Sequence, residues 1–264
     1  MTKKIFGTEE WAVRNENFID GCIHDCKYCY AKSMAIRFKR KTFANWKDES
    51  IREHNFAKKI RKAKGTVMFP SSHDIHPEHL PETLIFLEKI VKAGNKVLIV
   101  SKPHLECIKA ICEKFADYKN QILFRFTIGS HDSSILKFWE PGASDFNERV
   151  ECLKYSFEKG FKTSVSCEPM LDNEIEKLID KILPYVTDAI WIGKANNLIA
   201  RLKLNGFSDD EETMQKAQQL INALSESRIK AIYEKYKDDE KIKWKESIKE
   251  ILGLNRPKEK GLDV

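Results

Sequence analysis

Five short runs rich in β-branched and aromatic residues mark the chain at regular intervals: TVMF at 66–69, KVLIV at 96–100, ILFRFTI at 122–128, KTSVS at 162–166 and AIWIG at 189–193. Segments with helical spacing stand beside them at 46–63, 81–93, 105–116, 145–159 and 173–183. Such alternation is the pattern of βα units built on a parallel sheet, and a short strand at 17–20 would make six. Gly94, Asn95 and Gly160 fall where helix C-terminal turns need residues tolerant of positive φ. Pro81 suits a first helical turn, where a missing N–H costs nothing. Beyond about residue 206 the pattern changes to charged, helical sequence without strands, with Ser208 or Asp209 as a helix start. The expected organisation is an α/β core over 1–205 and a C-terminal helical extension over 206–264.

Against this frame the stretch FIDGCIHDCKYCYAKSMA places Cys22, Cys26 and Cys29 in one short segment. The chain holds seven cysteines, an odd number, and its first residues, MTKKIFGTEEWAVRN, lack the apolar core of a secretory signal. Together these point to a cytoplasmic location and to a metal, cluster or redox role rather than a disulfide framework. No run approaches the length of a membrane span, so no membrane association is expected. Cysteines spaced at i, i+4 and i+7 can wrap a compact inorganic centre. A structural zinc would need a fourth ligand, from His24 or a distant cysteine, and would suit a non-enzymatic nucleic-acid-binding protein. A four-iron cubane held by three thiolates keeps one iron open for substrate or cofactor. An electron-transfer cluster would need a fourth cysteine, for which Cys167 at a strand end is the best placed.

The motif CIHDCKYC, a CxxxCxxC with Tyr28 before its last cysteine, resembles the cluster motif of the radical S-adenosylmethionine superfamily. The likeness runs over most of 17–195. Its further marks are SSHDIHPE after the second strand, SK after the third, and WEPGASDFNERVECLKYSFEKGFKTSV. These resemble the branch containing spore photoproduct lyase. The resemblance implies a partial (β/α)6 TIM-like barrel closed by the C-terminal helices. It implies one [4Fe-4S] cluster on Cys22, Cys26 and Cys29, whose open iron chelates S-adenosylmethionine. An electron from a donor such as a flavodoxin or ferredoxin then cleaves the cofactor, and the resulting 5′-deoxyadenosyl radical takes a hydrogen from the substrate.

Ligands of parallel βα folds bind at the C-terminal ends of strands, so polar residues there are the candidates. The resemblance puts Ser71, Ser72 and Asp74 at the cofactor's amino group and Lys102 at its carboxylate. Thr127 and Ser130 could reach the ribose, Tyr28 the adenine, and Glu168 the cavity. Glu140 and Arg149 read as a supporting ion pair. His73, His76 and His79 are poor metal ligands as a set, because Pro77 and Pro81 break the geometry that would align them. In the lyase a cysteine near the end of the second strand returns the hydrogen. Here that segment reads MFPSSHD, which leaves Cys167 as the remaining candidate donor. Cys107, Cys112 and Cys152 fall on predicted helices and read as small buried hydrophobes.

Residues 32–64 carry twelve Lys/Arg against three Asp/Glu. Such a segment could bind a nucleic acid by counterion release, or be a solvated helix face.

Overall fold

The computed structural model describes residues 5 and 7–262. The chain opens with strands β1 (Arg14–Asn15) and β2 (Ile19–Asp20), helix α1 (Tyr30–Arg37), strand β3 (Ser50–Ile51) and helix α2 (Glu53–Ala57). Regular βα units follow: β4 (Val67–Met68) with α3 (Leu80–Lys92), then β5 (Val97–Ser101) with α4 (Leu105–Lys114). Strand β6 (Ile122–Thr127) precedes α5 (Ser133–Trp139) and α6 (Phe146–Glu158), and β7 (Lys162–Cys167) precedes α7 (Ile175–Ile182). Strand β8 (Ile190–Ile192) leads into α8 (Leu198–Leu202) and a π-helical turn (Lys203–Phe207). Helices α9 (Glu211–Ala223) and α10 (Glu226–Tyr236), strand β9 (Ile242–Trp244) and helix α11 (Glu246–Leu252) complete it.

Seven strands form one sheet in the order β1-β4-β5-β6-β7-β8-β9, with every neighbouring pair parallel. The sheet is open, as in a partial barrel, since its end strands β1 and β9 do not pair. Strand alternation sorts its side chains onto two faces. Val67, Val97, Ile99, Phe124, Phe126, Val165, Ile190 and Ile192 join Phe86, Ile90, Ile108, Ile111 and Leu153 of the helices in the main core. Met68, Leu98 and Trp191 turn to the other face, where Trp11 covers them. Arg125 also lies there, 4.6 Å from the Trp11 ring centre and 5.1 Å from that of Trp191, and paired with Asp188 at 3.1 Å.

The expected parallel α/β partial barrel is therefore present, with differences at its margins. The predicted strand at 17–20 is not a sheet strand, because Ile19 and Asp20 pair antiparallel with β3 in a separate two-stranded ribbon. The first sheet strand is β1, two polar residues upstream. The predicted helix at 46–63 shrinks to α2, since Trp46 is buried under the cysteine loop and Ile51 is spent in β3. The stretch after 206, expected to hold no strand, contributes β9. Ile242 and Trp244 turn into the core on either side of Lys243, a pattern too short to stand out among charges. Helix α9 starts from Asp210, whose carboxylate accepts from Thr213 N at 2.9 Å.

Candidate metal centre

The cysteine loop runs from Gly21 to Cys29 and is held from four directions. Gly21 has φ +101°, and a Cβ on it would fall 2.8 Å from the Trp46 carbonyl, which also accepts from Cys22 N at 3.0 Å. Lys27 N donates to Trp139 O (2.9 Å), and Gly142 N donates to His24 O (3.0 Å). From the π-helical turn, Asn205 Nδ2 donates to the carbonyls of Lys27 (2.9 Å) and Cys29 (3.0 Å). Cys29 then caps α1, its sulfur accepting from Lys32 N at 3.4 Å. With its backbone partners supplied from outside, the loop has a shape independent of what its thiols bind.

All three thiols are free, and burial pushes each above its ordinary range. Asp74 adds to the rise at Cys22, whereas Lys102 pulls Cys26 and Cys29 back. Left alone the three thiols stay protonated, and only a cationic centre among them would hold them as thiolates. The other four cysteines lie in the main core, each no more than 2% exposed. Cys167 is among them. Strand alternation turns it to the helix-facing side with Ile192, so it serves neither as a fourth cluster ligand nor as a hydrogen donor toward the concave face. A preformed loop with three thiols and no fourth suits a cluster with one open iron.

Asp74 joins this loop to the end of β5. Its Oδ1 accepts from Ser101 Oγ (3.0 Å) and Lys102 N (2.8 Å), and its Oδ2 lies 2.9 Å from His24 Nδ1 and 3.5 Å from Lys102 Nζ. Burial alone would raise this carboxyl, but Lys102 and His24 overrule it and hold it well below the usual range. Burial likewise opposes charge on Lys102, and Asp74, Cys26, Tyr28 and Glu140 push its ammonium up instead. His24 is fully buried and reaches on to His104, with Nε2 atoms 2.8 Å apart. Two groupings among the described residues bring three ligand atoms within 4.8 Å of one another, Glu49 with His76 and Glu78 outside the loop, and Cys22 with His24 and Asp74 beside it. The Asp74 carboxylate, however, is already taken by β5.

Behind the thiols, the EPGA motif acts as a brace. The Tyr28 hydroxyl donates to Glu140, and Glu140 pairs with Arg149 at 2.6 Å, both side chains fully buried. Arg149 also donates to the carbonyls of Ser144 (2.7 and 2.9 Å) and Thr127 (3.1 Å). A Cβ on Gly142 would sit 2.8 Å from His24 Cα and closer still to the Ile23 carbonyl, so only glycine allows this approach. The Tyr28 hydroxyl thus points into the protein, at Glu140.

The remaining predicted residues line the strand ends with unequal freedom. Asn17 accepts from Ser71 N (2.7 Å) and Ser72 N (2.9 Å) and donates to Ser71 Oγ (2.8 Å). Tyr30 OH donates to Ser71 O at 2.8 Å. Thr127 alternates with Phe126 toward the concave face, while Ser130 Oγ is spent accepting from Asp132 N at 2.9 Å. Glu168 follows β7 with its carboxyl pushed up to about 7, mainly by burial, against the pull of Lys245 at 3.7 Å and of Arg201. The three histidines separate as expected. His73 packs edge-on against Phe18 and Phe69, His76 against His24 and His104, and His79 lies 3.4 Å from Glu49. Asn17, Ser101, His104 and Asn205 were not predicted, and His24 was considered only as a zinc ligand, because their partners lie more than 25 residues away and no local spacing marks them.

The sequence profile of the Radical SAM superfamily matches residues 17–183. An uncharacterized protein of Acidianus two-tailed virus is 30% identical over 178 residues, covering 62% of this chain and 56% of the viral one. An uncharacterized protein of Methanocaldococcus jannaschii is 23% identical over 172 residues, covering 62% and 64%. The matches thus take in less than two thirds of either relative. A variant of spore photoproduct lyase aligns with 92% of this chain and 79% of its own, at 15% identity and a TM-score of 0.56. SuiB of Streptococcus suis bound to S-adenosylmethionine aligns over 89% and 50%, at 13% identity and a TM-score of 0.52. At these identities the two likenesses concern the fold.

Proposed function

This chain belongs to the Radical SAM superfamily, and from that membership we propose that it holds one [4Fe-4S] cluster on Cys22, Cys26 and Cys29, cleaves S-adenosylmethionine reductively, and abstracts hydrogen from a nucleic acid. The observation that carries the reading is the braced loop of three buried, free thiols with every other cysteine sequestered in the core. When bound, the cluster supplies the electron that breaks the sulfonium bond and the cofactor supplies the carbon radical.

The chain's own residues hold and orient. Lys102, kept charged by Asp74 and the cysteine loop, offers an ammonium to the cofactor's carboxylate. Asp74 fixes that lysine against the loop and lends negative charge to the amino group. The backbone turn at Ser71 and Ser72, pinned by Asn17, borders the same corner. Thr127 faces the concave side beside it, and Tyr28 serves through its ring and backbone. Glu168 and Arg201 border the far side, where burial and fixed charge favour a ligand with its own polar groups. Since the four remaining cysteines are core residues, the proposal includes no return of hydrogen from a protein thiol. An acidic one-electron carrier, a flavodoxin or ferredoxin, is the proposed donor. No helix among the described residues is long and apolar enough to cross a membrane.

The test is metal analysis with electron paramagnetic resonance on anaerobically reconstituted protein. About four irons and as much sulfide per chain, and a reduced-cluster signal that changes on adding the cofactor, are expected. Stoichiometric zinc without iron or sulfide would overturn the reading.

A further inference from the structure

We propose that the exposed face of α1 and the loop after it form a docking surface for single-stranded nucleic acid, leading to the strand-end site; this rests on the substrate class put forward above. Tyr30, Met34 and Phe38 recur every four residues on one side of α1 and are 42%, 38% and 62% exposed. Phe43 follows at 58%, and Leu204 of the π-helical turn is 41% exposed. These are five of the nine large hydrophobic side chains exposed among the described residues, so the exposure is concentrated rather than scattered. One piece of structure joins them. The Phe43 ring lies over Gly206, where an added Cβ would come within 2.8 Å of it, and Asn205 of the same turn accepts from Ser33 Oγ of α1 at 2.9 Å.

Charge selects the partner. From Arg37 to Lys47 the sequence RFKRKTFANWK has five cations and no carboxylate. Arg40 pairs with Asp20 and Lys41 donates to the Asp48 carbonyl, while Arg37, Lys39 and Lys47 make no ion pair among the described residues. The other half of the basic segment is different. Lys58 there pairs with Glu16, and none of the exposed large hydrophobic side chains among the described residues falls in that half, so its cations have no rings between them.

Exposed rings interleaved with uncommitted cations are the elements that bind unpaired bases and their phosphates. A duplex hides its base faces and could use only the cations. The surface starts at the site itself, because Tyr30 follows Cys29 and bonds Ser71 O at the strand-end rim. The eight residue steps from Tyr30 to Phe38 carry it about 12 Å outward.

The test is fluorescence anisotropy of the anaerobically reconstituted full chain with an end-labelled thymidine oligonucleotide of about twelve nucleotides, with 5′-deoxyadenosine formation followed in parallel. Phe38→Ala with Phe43→Ala should weaken binding about tenfold or more. Arg37→Gln with Lys39→Gln should lower the slope of log affinity against log salt by about 1.4. All four positions are exposed, so folding is expected to survive. The proposal is overturned if the oligonucleotide does not bind, if either double variant binds as the unsubstituted chain does, or if a duplex or polyglutamate competes as well as the strand. Cofactor cleavage without strand binding removes this surface and leaves the enzyme reading intact. Strand binding with both variant effects but no cleavage leaves the surface and removes the enzyme reading.

Discussion

Glu140 and Arg149 meet at 2.6 Å with neither side chain exposed, and the Tyr28 hydroxyl completes the set. Removing one charge of such a pair strands the other in the core. Glu140→Gln should therefore cost about 3–5 kcal/mol in denaturant unfolding. Glu140→Leu combined with Arg149→Met should cost much less, because no charge is left uncompensated. The sequence exposed this pair and the three cysteines, since each chemistry is written in a short motif. It also pointed to Asp74 and Lys102 by their place after strands. It did not show that Asp74 is a junction of four nitrogen and oxygen donors, or that His24 is buried, because His24, Asp74 and Ser101 come together only when the cysteine loop closes on the sheet.

Among the elements, the segment after α5 determines the shape of the cysteine loop. A side chain at Gly142 would displace the Ile23 carbonyl and His24. Gly142→Ala is expected to leave the sheet and its thermal unfolding nearly unchanged while lowering iron content on reconstitution, measured as iron per chain. Full iron loading would show that the loop adapts and that the brace is dispensable. The central strands were legible because β5 to β8 are apolar on their buried faces and separated by amphipathic helices. The margins were not. Strand β1 is two polar residues, β9 is three residues in a charged tract, and α5 is seven residues started by the Asp132 cap. Tertiary pairing rather than local preference makes these elements, and a helical pattern at 46–63 yielded to the same force.

At the scale of the whole molecule, Lys245 ties the N-terminal segment, β7 and the C-terminal extension together. It is fully buried, pairs with Glu10, and lies 3.5 Å from Glu246 and 3.7 Å from Glu168. One ammonium cannot balance three carboxylates, so the cluster retains protons. Burial first, then Glu246, pushes Glu10 up to about 8, and burial pushes Glu168 to about 7. An unfolded chain releases these protons near the ordinary value of 4.5, so in between the folded state binds more of them. Stability from these two groups must fall as pH rises through that window. The Tm should decline from about pH 5 to about pH 8, and Glu10→Gln should flatten the decline. A steeper decline in the variant would contradict the assignment of the proton to Glu10. The central claim, that three thiolates present an open iron to S-adenosylmethionine, is tested most directly by quantifying 5′-deoxyadenosine after adding dithionite and the cofactor to reconstituted protein. The account predicts product from the unsubstituted chain and none above background from Cys26→Ala. A fully iron-loaded, unsubstituted chain that forms none would contradict it.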